Sequence, residues 1–157
     1  MALTIGAPAP DFASIDTERN TVTLQEQRGK NVILLFFPAA FTSTCTKELC
    51  QTRDEIGFYQ NLNAQTFGIS VDMFFSLARY KEEQKLNFPL LSDFNKEASR
   101  AYECIYENWI HGLKGVSKRS VFLIDKDGIL RYQEILEKGG EYPDFDALKK
   151  ALEALKG

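Results

Sequence analysis

The chain of 157 residues has one histidine and only three cysteines. So small a stock of soft ligands makes a poor set for a four-coordinate metal site, and no cofactor is implied. Three thiols are also too few, and odd in number, for a secreted disulfide scaffold. Strong charge of either sign is missing: 19 basic residues stand against 22 acidic ones, for a net charge of -3. That balance gives no general electrostatic reason to bind nucleic acid or an anionic membrane. Long apolar runs are missing too. The longest, VILLFF at 32–37, is far short of the ~20 residues that cross a bilayer. The opening MALTIGAPAPDF has no basic segment followed by an apolar stretch, as a secretory signal would. Repeats, low-complexity tracts and interdomain linkers are absent. Together these absences predict a soluble, cytoplasmic protein folded as a single domain over 1–157, with thiols used for chemistry or burial in a reducing compartment.

What is present supports a real core, since 44% of residues are hydrophobic and the length suffices to bury most of the surface. Apolar runs alternate with helical patterns, the signature of a sheet covered by helices. Four runs read as buried strands: 32–37, FGISV at 67–71, FPLL at 88–91 and VFLI at 121–124. Pro89 has no N–H for a ladder bond, so the third is short or at an edge. ILRYQEIL follows Asp127-Gly128, a dipeptide suited to a tight hairpin, so the sheet is predicted to be mixed. DFASID and TVTL around the polar turn TERN predict an antiparallel hairpin within the first 25 residues.

Helical spacing joins Leu49, Ile56, Tyr59 and Leu62, and also Phe74, Leu77, Ala78 and Lys81 after Asp72 as an N-cap. Ala98, Ala101, Tyr102 and Ile105 predict a third helix, which includes Cys104. Phe145, Leu148, Leu152 and Leu155 predict a last one, opened by Pro143 and Asp144.

The segment FFPAAFTSTCTKELC at 36–50 carries two cysteines five apart at a helix start. In a regular helix such positions lie about 8 to 9 Å apart and face about 140° away from each other. A disulfide needs Cα atoms within about 7 Å. Either Cys45 and Cys50 are unrelated thiols, or the segment unwinds. Cys45 follows a buried strand and a short loop, the place where open α/β sheets bind ligands. With Thr42 or Ser43 as the cap it lies in the first turn, where unpaired N–H groups and the positive helix end favour a thiolate. A buried, inert cysteine fits the position equally well.

The run Pro38-Ala39-Ala40-Phe41-Thr42-Ser43-Thr44-Cys45 fits PxxxTxxC, and on that pattern the chain resembles the peroxiredoxin family over almost its whole length. CTKELCQTRDE is similar to the peroxiredoxin Q (bacterioferritin comigratory protein) branch, which has its second cysteine at the same offset. FFPAAFT and FPLLSDF look more like the alkyl hydroperoxide reductase E-type branch. The resemblance implies an α/β, thioredoxin-like fold: a central mixed sheet flanked by helices, with an N-terminal β-hairpin. It implies reduction of hydrogen peroxide or alkyl hydroperoxides, with Cys45 as nucleophile. Thr42 is placed for its hydroxyl to touch the peroxide or the thiolate, while first-turn amides hold the developing oxyanion; an N-cap role could coexist.

RSVFLID resembles the family motif that supplies a cation, which assigns that role to Arg119, a charge fixed in a rigid fork of donors. Glu48 and Arg53 match the family pattern too, and could bracket the site by pairing with Arg119 or each other. Pro38 ends the strand and shields the thiolate. After attack Cys45 becomes a sulfenic acid, which Cys50 could resolve as a disulfide once the helix start unwinds. Thr42, Ser43, Thr44 and Thr46 make that start soft. Resolution by an external thiol is the alternative. A thioredoxin-like disulfide exchanger would carry Cys-x-x-Cys, which this chain lacks, and a redox-sensing binding module or holdase is a third class. The implied partners are a hydroperoxide and thioredoxin or a similar dithiol, with no nucleic acid or membrane, acting as monomer or homodimer. Cys104 reads as a buried bystander, and His111 lies in a loop with no partner motif for a Cys-His pair.

Overall fold

A run of six apolar residues without polar alternation suits a strand covered on both faces, and VILLFF becomes that strand. In a computed structural model describing residues 3–138 and 140–155, it forms β3 (Asn31–Phe36), an interior strand of a seven-stranded mixed sheet. Side chains of a strand alternate between faces. Ile33, Leu35 and Phe37 accordingly enter one apolar cluster, while Val32, Leu34 and Phe36 enter the other. β4 (Ala64–Ser70) lies parallel on one side of β3, and β6 (Ser120–Ile124) antiparallel on the other. β7 (Leu130–Ile135) closes that edge as a hairpin with β6, turning at Gly128, whose φ of 84° is the left-handed conformation glycine allows.

On the other side β4 pairs in parallel with β5 (Leu90–Ser92), followed by the antiparallel hairpin of β1 (Ala13–Asp16) and β2 (Thr21–Thr23). β5 is short, as expected from Pro89, yet it is internal. Pairing begins one residue later, and Pro89 contributes only its carbonyl, which accepts the Gly68 amide at 3.0 Å. Gly68 leaves room for the buried Leu90 side chain, since a Cβ there would sit 2.6 Å from Leu90 Cδ2.

Helices α1 (Ser43–Asp54), α2 (Ile56–Asn61), α3 (Phe74–Glu83) and α5 (Phe145–Glu153) contribute to the first cluster. The short α4 (Glu97–Ala101) contributes Ala98 to the second. Asp144 caps α5 as expected, accepting the Ala147 amide at 3.0 Å. Two expectations are corrected. The pattern from Leu49 to Leu62 is split at Glu55 into α1 and α2; Gly57 disfavours one continuous helix by about 1 kcal/mol, and the break lets Leu49 and Tyr59 reach the same cluster. The third helix stops at Ala101. Glu103 takes φ of 53°, and the chain then doubles back so that the Tyr106 amide donates to Val116 O and the Gly115 amide to Tyr106 O. Cys104 therefore lies outside the helix. Among the described residues no helix is long and apolar enough to cross a membrane.

The parallel strands β3, β4 and β5 end at the same level, and β6 begins there: Phe36 pairs with Ile69 and Ser120, and Ser70 with Ser92. The segments around residues 37–42, 71–73 and 105–119 thus meet at one end of the sheet.

Candidate active site

After β3 the Phe37 amide still donates to Ile69 O at 2.9 Å, and then the chain leaves the sheet. Phe41 adopts φ of 67°, a conformation that costs an L residue roughly 1 to 2 kcal/mol, so its neighbours must hold it. Thr42 occupies the N-cap position of α1, with φ -95° and ψ 153°. Its hydroxyl does not cap the helix: it donates to Ala39 O at 2.8 Å, while its carbonyl accepts the Thr46 amide at 2.9 Å. The first-turn N–H groups therefore have no side-chain cap, and the Thr42 oxygen keeps lone pairs able to accept a further hydrogen bond.

Cys45 is the third residue of α1, and its side chain is 1% exposed. Arg119, immediately before β6, donates through one nitrogen, Nη1, to Cys45 Sγ at 3.2 Å and to Glu48 Oε1 at 2.9 Å. Glu48 is three residues after Cys45 and so on the same helix face. Burial works against the Arg119 charge, but Glu48 and then Cys45 outweigh it and hold the guanidinium more firmly protonated than usual. Burial also pushes Glu48 up from 4.5 to about 7, against the opposing pull of Arg119. Its second oxygen, Oε2, has no hydrogen-bond partner among the described residues.

Between pH 4.5 and about 7 the folded protein keeps a proton on Glu48 that the unfolded chain has released. Stability is therefore highest below that window and falls by roughly 3 kcal/mol as pH rises through it on account of this group. Glu48→Gln keeps an acceptor for Arg119 and cannot ionise. Denaturant titrations at pH 5 and pH 8 should show that this variant loses much less stability across the interval than the parent; equal losses would show that Glu48 is already ionised throughout.

A cleft of about 300 Å³ opens beside the sulfur, lined by Pro38, Thr42, Cys45, Arg119, Trp109 and Ile110 among others. Its lining is mainly apolar, with Thr42, Cys45 and Arg119 supplying the polar and charged groups. Trp109 and Ile110 were not expected from sequence; the only signal was an apolar pair beside His111. A larger hollow of about 720 Å³ lies at the other end of the sheet, near Asn31, Asn63, Asp125 and Arg131. It holds no cysteine, and Arg131 and Asp125 there already bond each other at 2.7 Å, so the smaller cleft is the candidate site.

The structure brings Pro38, Thr42, Cys45, Glu48 and Arg119 together and leaves the other candidates outside. Arg53 does not bracket the site. Five positions after Glu48 it has rotated to another face of α1, where it bonds Asp54 at 2.9 Å and Gln84 O at 2.6 Å. Cys50 is half-buried, and its thiol donates to Gln84 Oε1 at 3.5 Å; it and Cys45 are separate free thiols on one unbroken helix. Cys104 is fully buried, and burial pushes its thiol up to about 12. That keeps it protonated and inert. His111 is exposed, beside the cleft-lining Ile110, and among the described residues no hydrogen bond joins it to a thiol.

A model of the AhpC/TSA family matches residues 5–133. Alkyl hydroperoxide reductase E of Mycobacterium tuberculosis is 38% identical over 156 residues, covering 98% of both chains. A mitochondrial thioredoxin-dependent peroxide reductase of Drosophila melanogaster is 33% identical over 144 residues, covering 85% of this chain and 59% of its own. Among solved structures, peroxidoxin BcpB of Mycobacterium tuberculosis superposes with a TM-score of 0.86 at 27% identity, covering 99% of each chain.

Proposed function

The chain belongs to the AhpC/TSA family and is a thiol-dependent peroxidase of the peroxiredoxin kind; from that premise we propose that Cys45 is its peroxidatic cysteine and Cys50 its resolving one. The observation that carries this reading is the Arg119 contact to Cys45 Sγ at 3.2 Å, at the floor of a cleft rimmed by Thr42 and Pro38. The thiolate of Cys45 attacks the terminal peroxide oxygen, an S–O bond forms, and the O–O bond breaks. The leaving alkoxide or hydroxide takes up a proton, and the sulfur is left as sulfenic acid. Negative charge begins on sulfur and ends on the leaving oxygen. Arg119 and the uncapped first-turn amides are fixed donors to that moving charge. Thr42 Oγ1 can accept from the peroxide O–H while donating its own proton to Ala39 O.

Rapid mixing of the reduced protein with stoichiometric hydroperoxide, followed by sulfenic-acid trapping and peptide mapping, tests the assignment. Label on Cys45 supports it, and label confined to Cys50 or Cys104 overturns it.

In the second stage the Cys50 thiol condenses with the sulfenic acid, releasing water and forming a disulfide that an external dithiol then reduces. A dithiol such as thioredoxin suits this, the Drosophila relative being named thioredoxin-dependent, and a reducing compartment such as the cytoplasm supplies it. The step needs α1 to open. The bonds lost include Thr46 to Tyr80 at 2.8 Å and Tyr142 to Lys47 O at 3.3 Å, each worth about 1 kcal/mol. Low helix propensity at Thr44 and Thr46 offsets little of that but adds no further cost. In Cys50→Ser the first oxidation should proceed within about twofold of the parent rate, because α1 stays folded during attack. Turnover with a dithiol should fall at least tenfold, and excess peroxide should drive Cys45 to sulfinic acid. If the parent protein itself yields no Cys45–Cys50 peptide on oxidation, resolution belongs to an external thiol.

A further inference from the structure

The connection between β4 and α3 carries a carboxylate that the helix does not use. Asp72 was expected to cap α3, but Met73 takes that position without a side-chain bond. Asp72 turns the other way, and its Oδ2 accepts the Ala40 amide at 2.8 Å and the Ser70 hydroxyl at 2.7 Å. Its backbone is fixed on both sides. The Asp72 amide donates to Ser70 Oγ at 3.2 Å, and its carbonyl accepts the Ser92 hydroxyl at 2.6 Å. Ser70 and Ser92 are register partners at the ends of β4 and β5. The carboxylate is thus mounted on two paired strand ends and reaches across to the loop that follows the third.

That loop bears Thr42 and leads directly into Cys45. From Pro38 to Thr42, the Ala40–Asp72 bond is the one hydrogen bond that ties it to another strand's connection among the described residues. Phe41, next to Ala40, holds a left-handed backbone conformation that an L residue leaves unless both flanks are fixed. Asp72 fixes one flank through Ala40, and the Thr42 bonds to Ala39 and Thr46 fix the other.

We propose that Asp72 is a positioning residue for peroxide reduction: by holding the Ala40 amide it sets the turn that presents Thr42 and the first-turn N–H groups to the peroxide at Cys45. This rests on the peroxidase reading above. Alkylation of a thiolate by a small electrophile needs only the sulfur and its cation, which come from α1 and Arg119. Attack on a peroxide also needs donors and acceptors aligned on both oxygens. Loss of Asp72 should therefore separate the two reactions.

The test compares hydroperoxide and iodoacetamide as probes of Cys45 in the reduced full chain. Asp72→Ala should slow the peroxide reaction about tenfold while alkylation stays within about twofold. Asp72→Asn, whose side-chain oxygen still accepts from Ala40 and Ser70, should keep at least about half the parent peroxide rate. Asp72→Glu, which keeps the charge but misplaces the acceptor, should behave like Asp72→Ala and serves if that variant fails to fold. An unchanged peroxide rate in Asp72→Ala or Asp72→Glu, a parallel fall of both reactions, or failure of Asp72→Asn to rescue would each overturn the proposal. A parent protein inert to peroxide would instead remove the peroxidase reading and this proposal together.

Discussion

Cys45→Ser should consume hydroperoxide no faster than the buffer does, a loss of at least ~10³-fold in rate, or about 4 kcal/mol of barrier. The substitution changes one buried atom and little else. Arg119 remains bonded to Glu48 at 2.9 Å, so the guanidinium keeps an anionic or neutral partner and the surrounding core is undisturbed. What disappears is the proposed nucleophile. A serine hydroxyl stays protonated far above neutral pH, whereas a thiol ionises near pH 8.5 even without help. Cys50 and Cys104 should not substitute for it. The first is half-buried and bonded to Gln84, and the second is buried with its thiol pushed up to about 12. Peroxide consumption by rapid mixing checks this, with a melting curve to show that the variant is folded. Retention of more than a tenth of the parent rate would place the chemistry on another cysteine.

Arg119→Met should be nearly as severe, slowing the peroxide reaction by about 10²- to 10³-fold, the range seen when one preorganised donor to a developing charge is removed. One nitrogen of this side chain serves both Cys45 and Glu48. Removing it takes the cation from the sulfur and strands a buried carboxyl. Stability should fall too, and the sign of its pH dependence is set by Glu48. That group already sits near pH 7 with Arg119 in place, and without the cation it will hold its proton to higher pH. The variant should thus be closer to the parent at pH 6, where both carry a largely protonated Glu48, than at pH 8, where only the parent has a cation to pair with the ionised form. Arg119→Lys should be intermediate, losing about tenfold, since lysine keeps the charge but carries it on a flexible stem in place of the preorganised planar guanidinium. Rate constants and denaturant midpoints at the two pH values decide it; an Arg119→Met rate within threefold of the parent would show that the contact at 3.2 Å is structural only.

Much of this arrangement is legible in the residue order. VILLFF, VFLI and the Asp127-Gly128 turn specify strands through local composition, and the structure places them as β3, β6 and the hairpin into β7. PxxxTxxC locates Thr42 and Cys45 because a strand, a turn and a helix start are all encoded within nine residues. What failed to show is what depends on contacts distant in sequence. Arg53 matched a family pattern, but only the packing of α1 against the chain after α3 decides that it bonds Gln84 rather than Glu48. Asp72 looked like a helix cap because the cap signature is local, whereas its bond to Ala40 spans 32 residues. Trp109 and Ile110 reach the cleft only because residues 105–117 double back before Arg119. No periodicity signals that fold-back. Likewise Glu48 is an ordinary helix acid on paper; its burial, and hence its rise to about 7, follows from the sheet and the helix packed around it.

The most direct measurement is the ratio of two second-order rate constants for the reduced protein at one neutral pH, hydroperoxide against iodoacetamide. A thiol that is merely ionised reacts faster with both, leaving the ratio near that of free cysteine. A sulfur held beside Arg119, Thr42 and uncapped amides gains only with the O–O bond, so the expected ratio exceeds that of free cysteine by at least ~10³-fold. A ratio equal to that of free cysteine would contradict the assignment of this cleft as a peroxide-reducing site.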